Sequence, residues 1–174
     1  MDIKASSMSD LTSILNRNHD LKEISVTVGF RFWGRYSYIM DGMTDPELDD
    51  DRKEFQEAII DHPSLVTITF KGPSFATLQD LAIILEAAFY SNTISNISIP
   101  IVPPENYRDK RTRSRYIQQI SYLLHRSKSI KTLTVIDMLE SPSSPMTHTL
   151  QKICDSAIRV SAFKKSRKYR LSSV

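Results

Sequence analysis

Four histidines, His19, His62, His125 and His148, and one cysteine, Cys154, are the side chains here best suited to nucleophilic or acid–base chemistry. Their placement argues against it. An activated thiol needs access and an adjacent base, but Cys154 falls on the apolar side of a predicted helix. His19 and His62 occupy equivalent turns between a predicted helix and a predicted strand, and His125 lies near a helix end, so they recur with the fold instead of converging. With four glycines and neither a G-x-G-x-x-G nor a P-loop pattern, no loop is available to cradle phosphate. The glycosylation sequon at Asn96 lies inside a predicted strand and is discounted. No catalytic residue, metal or cofactor is expected, and the chain is read as non-enzymatic. A single cysteine excludes an internal disulfide and a thiolate cluster. A reducing, cytoplasmic compartment is therefore expected, or a host cytosol or nucleus if the chain acts as an effector.

Charge is distributed unevenly. Residues 1–61 carry 13 acidic and 7 basic side chains, whereas residues 105–174 carry 5 and 15. The basic residues gather in two runs. Arg108, Lys110, Arg111, Arg113 and Arg115 form one; Lys164, Lys165, Arg167, Lys168 and Arg170 form the other. Solvated surface is the ordinary explanation of such runs. Contact with nucleic acid or an anionic membrane surface is the alternative, and it requires affinity that falls steeply with salt. No apolar run approaches the roughly 20 residues that span a bilayer, so no transmembrane segment is expected. The N-terminus lacks the basic-then-apolar pattern of a secretory signal. At 174 residues the chain is expected to form one domain, read as a monomer.

A third cluster of chemistry-bearing residues lies in "VGFRFWGRYSYIM". Alternating apolar residues at Ile24, Val26, Val28, Phe30 and Phe32 predict a long first strand, turned back at Trp33-Gly34-Arg35 into a hairpin through Tyr36 and Tyr38. Arg31, Trp33, Arg35, Tyr36 and Tyr38 are residue types that dominate binding hot spots. The same aromatics also suit a cap over the end of an apolar core.

The elements that must position these groups are written as a repeat. Leu21, Leu65, Ile94 and Ile130 serve as anchors. Three residues after them stand Ile24, Ile68, Ile97 and Leu133; two further on stand Val26, Phe70, Ile99 and Val135. Ten, seven and six residues before them stand Leu11, Ile14 and Leu15; Phe55, Ala58 and Ile59; Ile84, Ala87 and Ala88; and Ile120, Leu123 and Leu124. The preceding positions share one face of a helix with 3.6 residues per turn, and the following ones share one face of a strand. Each unit is thus helix, polar turn, strand. Thr77 with Asp80 forms a predicted capping box, and Asp45-Pro46 offers a cap followed by proline at the first helical position. A lone unit buries too little to offset its conformational entropy, but stacked units share a continuous core.

The L-x-x-I-x-V pattern after an amphipathic helix resembles the leucine-rich repeat family, in its ribonuclease-inhibitor-like form. The resemblance runs over about residues 10–136. It implies an α/β solenoid arc of about four units, with a parallel sheet on one side, helices on the other, and a C-terminal capping helix. The units fall at about 9–28, 45–71, 74–101 and 109–136, the cap at 146–165, and a basic tail at 166–174. Intervals between anchors are uneven, at 44, 29 and 36 residues. The family's turn-bonding Asn or Cys, eight residues past the anchor, is replaced by Gly29, Pro73, Val102 and Met138.

The positions two, four and six past each anchor should leave the helix side. They are Glu23, Ser25 and Thr27; Thr67, Thr69 and Lys71; Asn96, Ser98 and Pro100; and Thr132, Thr134 and Ile136. In the family such a face binds proteins, so the resemblance implies an interaction module with a protein partner. Two other readings stand beside it. One is an α/β enzyme or nucleotide-binding domain with a crevice lined by His19, His62 or Asp137 at the carboxyl ends of the strands. The other is a basic adaptor for nucleic acid or anionic membrane.

Overall fold

The computed structural model describes residues 1–29, 32–33, 46–72, 76–101, 110–137 and 168–173. Ten elements follow one another: β1 (Asp2–Ala5), α1 (Met8–Arg17), β2 (Glu23–Val28), α2 (Pro46–Ile60), β3 (Thr67–Lys71), α3 (Leu78–Tyr90), β4 (Asn96–Ile101), α4 (Lys110–Arg126), β5 (Thr132–Asp137) and β6 (Lys168–Ser173). The fold is α/β. Its six strands form one sheet in chain order, and each neighbouring pair is parallel. The helices also meet in chain order, α1 against α2, α2 against α3, and α3 against α4.

The four anchored segments are adjacent and in register. Glu23 lies beside Thr67, Thr67 beside Asn96, and Asn96 beside Thr132. These are the positions two past each anchor, so the offsets in the sequence are the pairing offsets in the sheet. The apolar positions of the frame are buried in one cluster; only Ile14 and Leu21 are partly exposed, and both pack against it. Helix and strand faces therefore close on a common core, the arrangement that makes one unit depend on the next.

Local chemistry sets the helix starts. Thr77 Oγ1 accepts from the Asp80 N–H at 3.2 Å, and Asp80 Oδ2 accepts from the Thr77 N–H at 2.8 Å, completing the predicted capping box of α3. Ser7 and Asp10 make the same box on α1. Asp80 is fully buried, and its second carboxylate oxygen accepts from Arg52 of α2 at 3.1 Å. Burial pushes the Asp80 carboxyl above its ordinary value, opposed first by the Arg52 guanidinium and then by the Thr77 donors.

Successive units are also tied by polar atoms at the amino ends of the strands. Three residues before their anchors, His62 and Ser91 accept from the backbone two and three residues ahead. His62 Nδ1 takes the Ser64 and Leu65 N–H groups at 3.3 and 3.0 Å, and Ser91 Oγ takes those of Thr93 and Ile94, both at 3.3 Å. Ser127 Oγ accepts from Ile130 N–H at 3.1 Å. One residue before the anchor, a hydroxyl reaches back to the previous unit. Ser64 donates to His19 O, Thr93 to His62 O at 3.3 Å, and Ser129 to Ala88 O at 2.9 Å. The carbonyls of Lys22, Val66 and Ser95 each accept two N–H groups from the next unit.

Four features differ from the sequence-based expectation. β2 ends at Val28 instead of running to Phe32. The Phe32 N–H closes a turn on Gly29 O at 3.1 Å, and Phe32 and Trp33 fold into the core against Phe70, with ring centroids 6.0 and 5.1 Å away. Pro100, with Pro103 and Pro104 in the sequence, predicts the end of the third strand, yet β4 continues through Pro100 to Ile101. Its pairing with β3 has already ended at Ser98, so a residue without an N–H is tolerated there. Two strands were not anticipated: β1, and β6 within the segment read as a basic tail. The expected capping helix at 146–165 and the second half of the expected hairpin lie outside the described residues.

Candidate protein-interaction surface

Strand alternation turns one set of side chains toward the helices and the other away from them. The inward set is Ile24, Val26, Ile68, Phe70, Ile97, Ile99, Leu133 and Val135, all buried. The opposite face presents small polar residues in rows. One row reads Glu23, Thr67, Asn96, Thr132, and continues in register to Lys168. The next reads Asp2, Ser25, Thr69, Ser98, Thr134, and continues to Arg170. A third begins Lys4, Thr27, Lys71. With strands roughly 4.8 Å apart, the four positions from β2 to β5 span about 14 Å.

Glu23, Thr27 and Lys71 are exposed; Ser25, Thr67, Thr69, Asn96, Ser98, Thr132 and Thr134 are partly exposed. Pro100, also expected on this face, is buried: Ala76 bridges alongside β4 there and donates its N–H to Pro100 O at 3.0 Å. Side-chain bonding within the face is sparse. Asn96 Nδ2 donates to Thr67 Oγ1 at 3.1 Å, and Lys71 Nζ lies 3.7 Å from Asp2 Oδ1. The Ser25 hydroxyl, and after it the Lys71 ammonium, hold the Asp2 carboxyl below its ordinary value. The sheet thus offers hydroxyl and amide groups at fixed spacing, flanked by acidic residues on β1 and β2 and basic residues on β6.

The other expected site residues do not all join this surface. Trp33 is 2% exposed, so it caps the core and presents no contact area; Arg31, Arg35, Tyr36 and Tyr38 lie outside the described residues. Lys110, Arg111, Arg113 and Arg115 open α4, where Arg111 and Arg115 are exposed. Arg108, Lys164, Lys165 and Arg167 are outside the described residues, whereas Lys168 and Arg170 belong to β6. Asp2 and Lys4 were missed because the four residues of β1 do not by themselves show the helix-to-strand spacing that revealed the other strands.

Of the residues suggested for an enzyme crevice, His19 and His62 lie near each other, with ring centroids 6.4 Å apart, but Asp137 does not join them. His19 and His62 precede β2 and β3, at the amino ends of the strands, whereas Asp137 closes β5 at the carboxyl ends. His62 is buried, with Nδ1 accepting in its own turn and Nε2 3.0 Å from Asn18 O. Both ring nitrogens are therefore committed to structure. The strand order never reverses, so the described sheet has no topological switch point of the kind where such folds bind ligands. Among the described residues, no helix is long and apolar enough to cross a membrane. No protein-family model matches the chain, and no curated protein resembles it significantly.

Proposed function

We propose that this chain is a non-enzymatic protein–protein interaction module, a short and irregular arc of the leucine-rich repeat kind, whose polar sheet face receives a protein partner. One observation carries the reading. The face opposite the helices is an in-register array of hydroxyl and amide side chains, partly exposed and with few bonds among themselves. Geometry supports the arc. Packed helices need about 8–10 Å between axes, whereas paired strands need about 4.8 Å. Helices stacked in chain order against one side bend the sheet so that its free face lies inside the curve. A concave face surrounds more of a partner's surface than a flat one, and its short side chains let a partner approach the backbone closely.

The test replaces Thr67, Thr69, Thr132 and Thr134 together with lysine and compares the proteins co-purifying with each form. The control is Gln118→Lys, at an exposed position of α4. Partners retained by wild type and by the control, but lost from the quadruple variant with its circular dichroism unchanged, support the reading. An identical partner set from all three overturns it.

One observation favours a second reading, the basic adaptor. Four of the first six residues of α4 are Lys or Arg, and its first turn holds no acidic residue. Cations at a helix N-terminus oppose the helix dipole by about 0.3–1 kcal/mol each, so helix stability does not account for them there. Salt-sensitive binding to an anionic polymer or vesicle, abolished by Arg111→Glu with Arg115→Glu, distinguishes this reading from the first.

A further inference from the structure

The sheet's first edge is written in a self-complementary way. Ser25 N–H donates to Met1 O at 2.8 Å, and Gly29 N–H donates to Ala5 O at 3.1 Å. Met1 and Ala5 therefore turn their carbonyls toward β2. In a parallel ladder alternate residues bond to the same neighbour, so Ile3 does likewise, and Asp2 and Lys4 direct their N–H and C=O groups away from it. β1 ends the strand order, and the Asp2 side chain is 87% exposed, with Lys4 exposed beside it. Among the described residues no strand pairs with this side of β1, so two donors and two acceptors are arrayed along that edge.

We propose that this edge pairs with the same edge of a second copy, antiparallel about a two-fold axis through Ile3, joining two six-stranded sheets into one of twelve. An isologous contact requires each residue to face one that suits it under the two-fold. If position 2 meets position 4 of the partner, Asp2 faces Lys4 twice, and each such pair exchanges two backbone hydrogen bonds, as hydrogen-bonded antiparallel positions do. Ile3, only partly buried in the single chain, meets its twin on the helix side and continues the core across the junction. Pairing position 2 with 2 opposes two aspartates, and pairing 4 with 4 opposes two lysines. One register alone satisfies charge, backbone and core. The opposite edge lacks this property, since Lys168 and Arg170 are the charged residues of β6 and no acidic residue stands among them, so no self-pairing register brings opposite charges together. A short charged strand also serves in many sheets as a guard against edge-to-edge association, and the test separates the two roles.

The test measures the mass of the full chain, tagged only at its C-terminus, by sedimentation across a wide concentration range. Wild type is expected to reach the dimer mass. Asp2→Lys and Lys4→Asp each place like charges opposite in the required register, and each should weaken the dimer about tenfold or more. Mixed in equal amounts, the two variants should pair with each other, each lysine meeting an aspartate, and the doubly swapped chain should regain the homodimer. Lys4→Pro removes one outward N–H without touching the ladder to β2 and should also give the monomer. A wild type that remains monomeric throughout overturns the proposal and leaves the guarding role. So does a dimer that persists unchanged in both single charge reversals, which places the contact elsewhere.

Discussion

Replacing His62 tests whether the polar turns hold the units together. Its Nδ1 accepts from the N–H groups of Ser64 and Leu65, and Leu65 is 0% exposed. His62→Ala leaves the Leu65 N–H without a partner where water does not reach, at a cost of about 1–3 kcal/mol. For a chain of this size that lowers the melting midpoint by roughly 2–12 °C. Ser91 holds the corresponding turn of the next unit with a hydroxyl in the same two-bond geometry. His62→Ser should therefore recover about 1 kcal/mol of the loss seen with alanine, although serine fills no more of the imidazole's space. Urea unfolding followed by fluorescence of Trp33, the one tryptophan and 2% exposed, measures the difference. Equal stability of the alanine and serine variants refutes the accepting role.

The same site has a pH signature of known sign. Burial lowers the His62 pKa below its ordinary value of 6.5; the Asn18 carbonyl opposes the shift and His19 reinforces it. A proton on Nδ1 also removes the acceptor that the Ser64 and Leu65 N–H groups need. Below about pH 6.5 the unfolded chain therefore takes up a proton more readily than the folded one, so stability falls as pH drops through this range and is unaffected above it. His62→Ser lacks this loss. The stability gap between wild type and His62→Ser should narrow from about pH 7.5 to about pH 5.5, and a constant gap refutes the assignment.

Three further substitutions have defined outcomes. Asp80→Ala strips the capping box of α3 and removes the buried carboxylate to which Arg52, whose side chain is 11% exposed, donates; the expected loss is about 2–4 kcal/mol by chemical denaturation, and Asp80→Asn with Arg52→Met should cost less than the two single changes added. Thr12→Val removes a buried hydroxyl that has no hydrogen-bond partner while keeping its shape, so its unfolding midpoint should stay level or rise by up to about 1 kcal/mol in stability. Gly72→Ala should lose about 1–3 kcal/mol in the same assay, because φ is +113° and the added Cβ would stand 2.8 Å from Val28 O.

The central sheet was legible because burial writes a period into the sequence. Leu11 and Leu15 before Ile24 and Val26, or Ile120 and Leu124 before Leu133 and Val135, switch from helical to strand spacing at a constant offset, and the pairing register follows that offset. β1 was not legible, since its four residues do not by themselves show the helix-to-strand spacing. β6 was hidden by charge. Its register makes Tyr169 and Leu171 the counterparts of Leu133 and Val135, but Lys168 and Arg170 alternate with them and read as a tail. The long first strand failed because alternation through Phe30 and Phe32 cannot distinguish a strand that continues from a chain that turns, as Phe32 and Trp33 do, back into the core; Gly29 at the turn was a local signal. On the candidate surface, the rows from β2 to β5 could be written down from the anchors. Glu23 could be too, but Asp2 on β1 and the in-register places of Lys168 and Arg170 on β6 could not, because those two strands lie outside the frame.

Where the units are tied determines what the sheet face is free to do. The family this repeat resembles bonds its turns through a side chain eight residues past the anchor, and here Gly29, Pro73, Val102 and Met138 supply none. Among the described residues the bonding lies before the strands, by His62, Ser91 and Ser127 within their turns and by Ser64, Thr93 and Ser129 back to the previous unit. Stacking is thus secured at the amino ends, and among the described residues the face keeps a single side-chain bond across β3 and β4, Asn96 to Thr67. Hydroxyls without structural duty can exchange water for a partner's groups without loosening the fold. On the proposed reading, the two sets of residues then separate in mutagenesis: changes at His62 or Ser91 lower stability, whereas changes at Thr69 or Thr134 lower partner binding at unchanged stability. Combined, one change from each set should have additive effects, as expected of sites that share no partner.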